Sequence, residues 1–184
     1  MIFPIVLYGD PILKKKAKEV AEGDESVKEF IEDLFETMYA AQGVGLASPQ
    51  VGHSLRVFIV DSTPMEEEEG DGNGLKQAFI NPVMLTEEGE PWAFEEGCLS
   101  IPGVREEVSR KPKIRIKYFD ENWEEHDEEF DGLQARIIQH EYDHIEGILF
   151  TDYISSFKKR LLKGKLTNIS KGKTDAEYRV KMPR

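Results

Sequence analysis

A single cysteine, Cys98, is all the chain contains. It cannot close a disulfide within itself, which suits a reducing compartment and leaves stability to an ordinary core. Long apolar runs are also missing: nothing approaches the roughly 18 residues of a membrane span. The opening MIFPIVLYGDP is too short and too uncharged at its front for a signal peptide. The expectation is a cytoplasmic protein with no membrane contact. Positive charge is in deficit, with 24 Lys and Arg against 36 Asp and Glu and a net charge of −12, which argues against a protein that coats nucleic acid. The deficit is uneven, because residues 157–184 hold 10 basic and 2 acidic side chains. An acidic body therefore runs into a basic end. No repeat or linker divides the 184 residues, which fit one domain: a catalytic body over 1–156 and, as part of it, a basic helix and tail over 157–184.

Apolar periodicity outlines the elements. In SVKEFIEDLFETMYAAQ, Val27, Phe30, Ile31, Leu34, Phe35 and Met38 recur at three- and four-residue spacing and predict a helix, with Ser26 and Glu29 as a capping box. LRVFIV reads as a buried strand, and STPMEEEEGDGNGLK, within residues 63–76, as an exposed acidic loop. QAFINPVML, PWAF, KIRIKYF and NWEEHDEEF read as strands. A second helix covers DGLQARIIQHEYDHIEG, with Asp131 as N-cap and Gly147 as C-cap. ISSFKKRLLKGKL predicts a short amphipathic helix with Ile154, Phe157 and Leu161 on its apolar side. The whole is an α+β fold, mostly antiparallel strands packed around a central helix, plus a C-terminal helix.

The central helix carries QHEYDH. There Leu133, Ile137, His140, His144 and Ile148 share one face, so the two histidines continue an apolar stripe into the interior. Inward-facing imidazoles one turn apart, with Glu141 beside them, are the metal-hydrolase arrangement His-Glu-x-x-His. Such a centre needs a third protein ligand and one open position. The extended zinc-protease pattern would place a histidine where this chain has Phe150, and no acid occurs between Asp152 and Asp175. His53 and His126 sit in no motif. Cys98, in EEGCLSIPG, remains, and a thiolate with two imidazoles suits zinc or ferrous iron.

GVGLASPQVG, EGCLS and HEYDH occur in that order, and together they resemble the peptide deformylase family. The likeness extends to the N-terminal YGDPIL and to the helix before the first string. It implies a metal-dependent amide hydrolase that removes the N-formyl group from the initiator methionine of nascent polypeptides. Cys98, His140 and His144 would hold one divalent ion, Fe2+ natively, with Zn2+ or another ion in its place in purified protein. Glu141 would move the proton. The Gln50 amide and the Leu99 backbone N–H would face the developing oxyanion. Gly45 and Gly97 would pair with the peptide backbone, Leu133 and Ile137 would line the methionine pocket, and Arg105 would meet the peptide further along. A weak ribosome contact through Lys158, Lys159, Arg160, Lys163 and Lys165 follows from the same reading. The alternatives are a zinc peptidase of the His-Glu-x-x-His class and a non-catalytic metal-binding domain. The first predicts cleavage of unformylated peptides; the second needs a closed four-ligand site, for which a lone cysteine is poor material.

Overall fold

The computed structural model describes residues 1–69 and 72–184. Its centre is a five-stranded antiparallel sheet in the order β2 (Gly45–Ala47), β3 (Val57–Asp61), β4 (Lys76–Glu88), β7 (Lys113–Phe119), β8 (Glu125–Asp131). Helix α1 (Ser26–Ala40) covers one face and α3 (Gly132–Ile145) the other. This explains why β3 is continuously apolar. Its Val57 and Ile59 pack with Ile31, Leu34 and Met38 of α1, while Phe58 and Val60 pack with Ala135, Ile138 and Ile145 of α3. A strand buried on both faces has no polar side to show.

A second antiparallel pair, β5 (Trp92–Cys98) and β6 (Ile101–Arg110), stands beside the main sheet. The two-residue turn Leu99–Ser100 joins its strands at the Cys98 end. Val104 and Val108 of β6 close a third apolar cluster with Leu149 and Phe150 after α3 and with Leu166 and Ile169 of α4 (Ser156–Ser170). The chain then turns back: Gly172 adopts a left-handed φ of +79°, its N–H donates to Ile169 O, and Lys173 N–H donates to Asn168 O. Residues 173–179 cross without regular structure, bending at 177 and 178, until β9 (Val180–Lys181) pairs in parallel with β1 (Ile5–Val6).

Four local expectations change. No Ser26–Glu29 box starts α1: Glu25 holds the N-cap position without a side-chain cap bond, and Asp24 Oδ1 accepts from Ser26 N at 2.9 Å and Ser26 Oγ at 2.6 Å. The expected acidic loop begins as a helix, α2 (Thr63–Glu69), started by Thr63 N–H donating to Asp61 Oδ1 and pinned by Met65 against the core. The rest of that segment includes residues 70 and 71, outside the described residues. IPGVREEVSR, unassigned by periodicity, is β6. On α4 the anchoring residues are Leu166 and Ile169, whereas Phe157 and Leu161 are 64% and 70% exposed. The helix docks by its C-terminal half, so of the stripe read from its start Ile154, just before the helix, is buried while Phe157 and Leu161 face solvent.

Candidate metal centre and substrate cleft

The α3 residues His140, Glu141 and His144 are buried because the helix lies flat on the sheet with this face turned to the β5–β6 hairpin. Cys98 ends β5 opposite them. Its Sγ is 3.4 Å from His144 Nε2, and the two imidazoles meet edge to face at 5.1 Å. Donor atoms of Cys98, His140 and His144 all lie within 4.8 Å of one another. This is a cluster able to hold a metal ion, and its chemistry fits one: a thiolate with two imidazoles is the donor set of a borderline divalent cation. The surroundings push the two imidazoles in opposite directions. Burial would lower His140, yet hydrogen bonds to Cys98 and Glu96 hold its pKa well above the ordinary histidine value. His144 is pushed well below that value by burial and by the His140 charge.

Behind His140 stands an ionic knot that the sequence reading did not find. Glu96 Oε1 lies 2.8 Å from His140 Nδ1, leaving Nε2 for a metal. The same carboxylate accepts from Arg110 Nε at 2.7 Å and Nη2 at 3.0 Å and from Arg136 Nη1 at 2.8 Å. Arg136 also donates to Val108 O and Trp92 O and lies 4.5 Å above the Trp92 ring. Arg110 reaches on to Asp143 Oδ2 at 2.8 Å, where the Tyr153 hydroxyl donates too. Burial alone would raise the Glu96 pKa, but the His140 and Arg110 hydrogen bonds outweigh it and hold the carboxyl well below the usual range. The only sequence cue for Glu96 is its place two residues before Cys98. Asp143 stands inside the HEYDH string, though nothing there marks its partner, and Arg110 carries no cue.

A cleft of about 840 Å³ opens over the centre. Glu141 lines it, and its Oε2 is buried without a hydrogen-bond partner, poised for a group absent from the chain itself. Burial pushes its pKa up to about 7. Gln50, in the single turn Ser48–Val51, is locked by Ala47 N–H donating to its Oε1 at 3.0 Å. Its Nε2 then points to Cys98 Sγ at 3.4 Å and Ser100 Oγ at 3.2 Å. Gly45 is required where it stands, since a Cβ there would lie 2.7 Å from Glu141 Oε1. Gly45 on the edge strand β2 and Gly97 on β5 border the cleft together, and Leu99, Ile137 and Arg105 join them. Arg105 pairs with Glu95 at 3.0 Å. Leu133 is buried one turn before Ile137, outside the lining. Pro64 and Met65 of α2 and residues 173–176 and 178 of the returning chain add walls that periodicity had not suggested.

Among the described residues no helix is long and apolar enough to cross a membrane. The polypeptide deformylase family model matches residues 2–160. A peptide deformylase of Cytophaga hutchinsonii is 58% identical over 100% of this chain and 98% of its own length. Among solved structures, the peptide deformylase from Thermus thermophilus is 39% identical with a TM-score of 0.82, covering 94% of this chain and 99% of its own. The Thermotoga maritima enzyme is 44% identical with a TM-score of 0.76, covering 84% and 99%. A match of this extent, on a chain that brings Cys98, His140 and His144 together over an unpartnered glutamate, places the protein in the polypeptide deformylase family.

Proposed function

We propose that the chain hydrolyses the formyl amide at the N-terminal methionine of nascent polypeptides, releasing formate and a free α-amine. One observation carries the reading: the three-donor cluster sits beside the unpartnered Glu141 at the floor of a cleft bordered by two open strand edges. A divalent ion held by Cys98, His140 and His144 would supply Lewis acidity there and lower the pKa of water to about 7. Ferrous iron is the native choice in this reading, with zinc able to occupy the same donors.

The chain's own groups do the rest. Glu141 takes the proton of the attacking water and passes it to the leaving amine. Gln50 Nε2, already directed at the cluster, and the Leu99 backbone N–H donate to the oxyanion as charge develops on the formyl oxygen. The edges at Gly45 and Gly97 pair with the extended peptide. Ile137, with Leu133 behind it, receives the methionine side chain, and Arg105 meets the residues that follow. Selectivity would come from size, with room beside the metal centre for a formyl group but not for a larger acyl group.

Formyl-methionyl chains are made in the bacterial cytoplasm, which this reading takes as the protein's home. The basic, solvent-facing start of α4, with Lys159, Arg160 and Lys163 around exposed Phe157 and Leu161, supports a weak, salt-sensitive ribosome contact. Truncation after Ser156 that left ribosome association unchanged would remove that part of the proposal.

The deciding experiment measures formate from a formyl-Met tripeptide, with protein purified without oxygen and loaded with Fe2+. Formate with an intact Met-peptide supports the reading. No formate from the metal-loaded protein sinks it, and cleavage of the unformylated tripeptide would point to a peptidase.

A further inference from the structure

The turn that carries Cys98 is held from three directions. Tyr8 N–H donates to Ser100 O at 2.8 Å, Gln50 Nε2 donates to Ser100 Oγ at 3.2 Å, and the Tyr178 hydroxyl donates to Leu99 O at 2.6 Å. The first two partners come from the family-matched body. The third arrives on the returning chain, beyond residue 160 where the match to the family model ends. That chain is fixed at both ends of its crossing. Gly172 reverses it out of α4, and Ile5 N–H donates to Arg179 O at 2.9 Å as β9 begins. Between these anchors Thr174, Ala176 and Tyr178 are the half-buried residues of an alternating segment, and all three line the cleft. Tyr178 also packs in the apolar cluster that includes Leu99.

We propose that Tyr178 is a positioning residue for deformylation: from the C-terminal strap, residues 173–181, it fixes the Cys98–Leu99–Ser100 turn. It thereby sets the direction of Cys98 Sγ and of the Leu99 N–H. A two-residue turn at the end of a two-stranded sheet tilts easily unless its tip is tethered, and the Leu99 carbonyl is at that tip. A tether on Leu99 O acts within one residue of both groups the reaction must aim. Burial, and then the Cys98 charge, push the Tyr178 hydroxyl up to about 12, so it remains a donor throughout the physiological range. The strap thus supplies one wall of the cleft and one support of the centre, and it does so with residues outside the stretch that the family model matches.

The inference rests on the deformylase reading, and its test separates the two. Tyr178→Phe in the full chain keeps the ring and its packing while removing the donor, and a melting curve shows that folding is intact. The expected result is a fall in kcat of about tenfold, in line with the loss of other outer supports of a metal site, with KM for a formyl-Met tripeptide unchanged. Two readouts do not depend on turnover. Amide exchange over residues 98–101 quickens in the metal-free variant, and the visible spectrum of the Co2+-loaded variant departs from that of the unsubstituted protein. If kcat stays within twofold and both other readouts are unmoved, Tyr178 positions nothing. A rise in KM with kcat intact would also overturn the proposal, since Tyr178 would then be cleft wall alone. Should the unsubstituted protein release no formate, the functional reading falls, while exchange and spectrum still decide whether Tyr178 holds the turn.

Discussion

Two sets of ion pairs, similar in chemistry, differ in almost everything else. Behind His140, Glu96 and Arg110 have side chains only 5% and 6% exposed. On the β7–β8 hairpin, Arg115 pairs with Asp127 at 2.8 Å, Lys117 with Glu125 at 2.8 Å and Lys113 with Glu129 at 3.4 Å. The Arg115 side chain there is 51% exposed. On the hairpin, water solvates both partners whether or not they meet, so their meeting changes little. In the interior neither partner has water to return to, and every lone pair of Glu96 is spoken for. The buried set is therefore a device for holding His140 in one tautomer and one orientation. The hairpin set lies across the solvent-facing side of β7 and β8, where charged residues of opposite sign meet between neighbouring strands.

Several substitutions would break or sharpen this contrast. The largest effect belongs to a buried acid outside the knot. Glu141→Gln is expected to lower kcat about 100- to 10,000-fold while metal content and melting temperature hold, read by formate release beside metal analysis. Next comes Glu96→Gln, which leaves two buried guanidinium groups short of a counter-charge. A loss of about 3–5 kcal/mol in urea unfolding is expected, with metal affinity down about 10- to 100-fold. A loss below about 1 kcal/mol, the ceiling for an exposed pair, would show that the knot is no more consequential than the hairpin. Arg115→Ala is expected to leave the urea unfolding curve almost unmoved, because water screens this exposed pair, and roughly 1 M salt removes what difference there is.

The smallest effect concerns His126, on the hairpin between Asp120 and Glu128. The Asp120 hydrogen bond raises its pKa above the ordinary value, against the opposing effect of burial. Its stabilising contribution is thus full below about pH 6.5 and fades as pH rises through the raised folded value. Unfolding curves of the unsubstituted protein and His126→Gln should converge as pH rises above about 6.5 and passes through the raised folded value. A gap that widened with pH would reverse the sign of the argument.

What could be read from the sequence followed the range of the interactions involved. Cys98, His140 and His144 were legible because each lies in a short string whose chemistry is local. The sandwiching of β3 was foreshadowed by its unbroken apolar run. The partners of Arg136 were not, since Glu96 lies forty residues away and nothing on α3 marks an arginine that points inward. Strand β6 escaped because Pro102 and Gly103 interrupt its start and acids occupy its middle. The face of α4 was misplaced for a related reason: periodicity reports that a helix has an apolar side, but not which of its turns finds a surface to rest on. Tyr178 had no signal at all, because its role depends on where a reversal at Gly172 sends the chain.

The parallel pairing of Ile5 with Val180 and Val6 with Lys181 also sets a schedule. On a ribosome the N-terminal strand emerges first and waits, unpaired, for almost the whole of synthesis. The sheet and α3 can form in the meantime, so the metal donors gather early. The strap settles only once Lys181 has left the exit tunnel. The entropic charge for so long a closure is modest, growing only with the logarithm of loop length, but the delay is unavoidable. Whatever forms earlier, the outer wall of the cleft can be fitted only at the end.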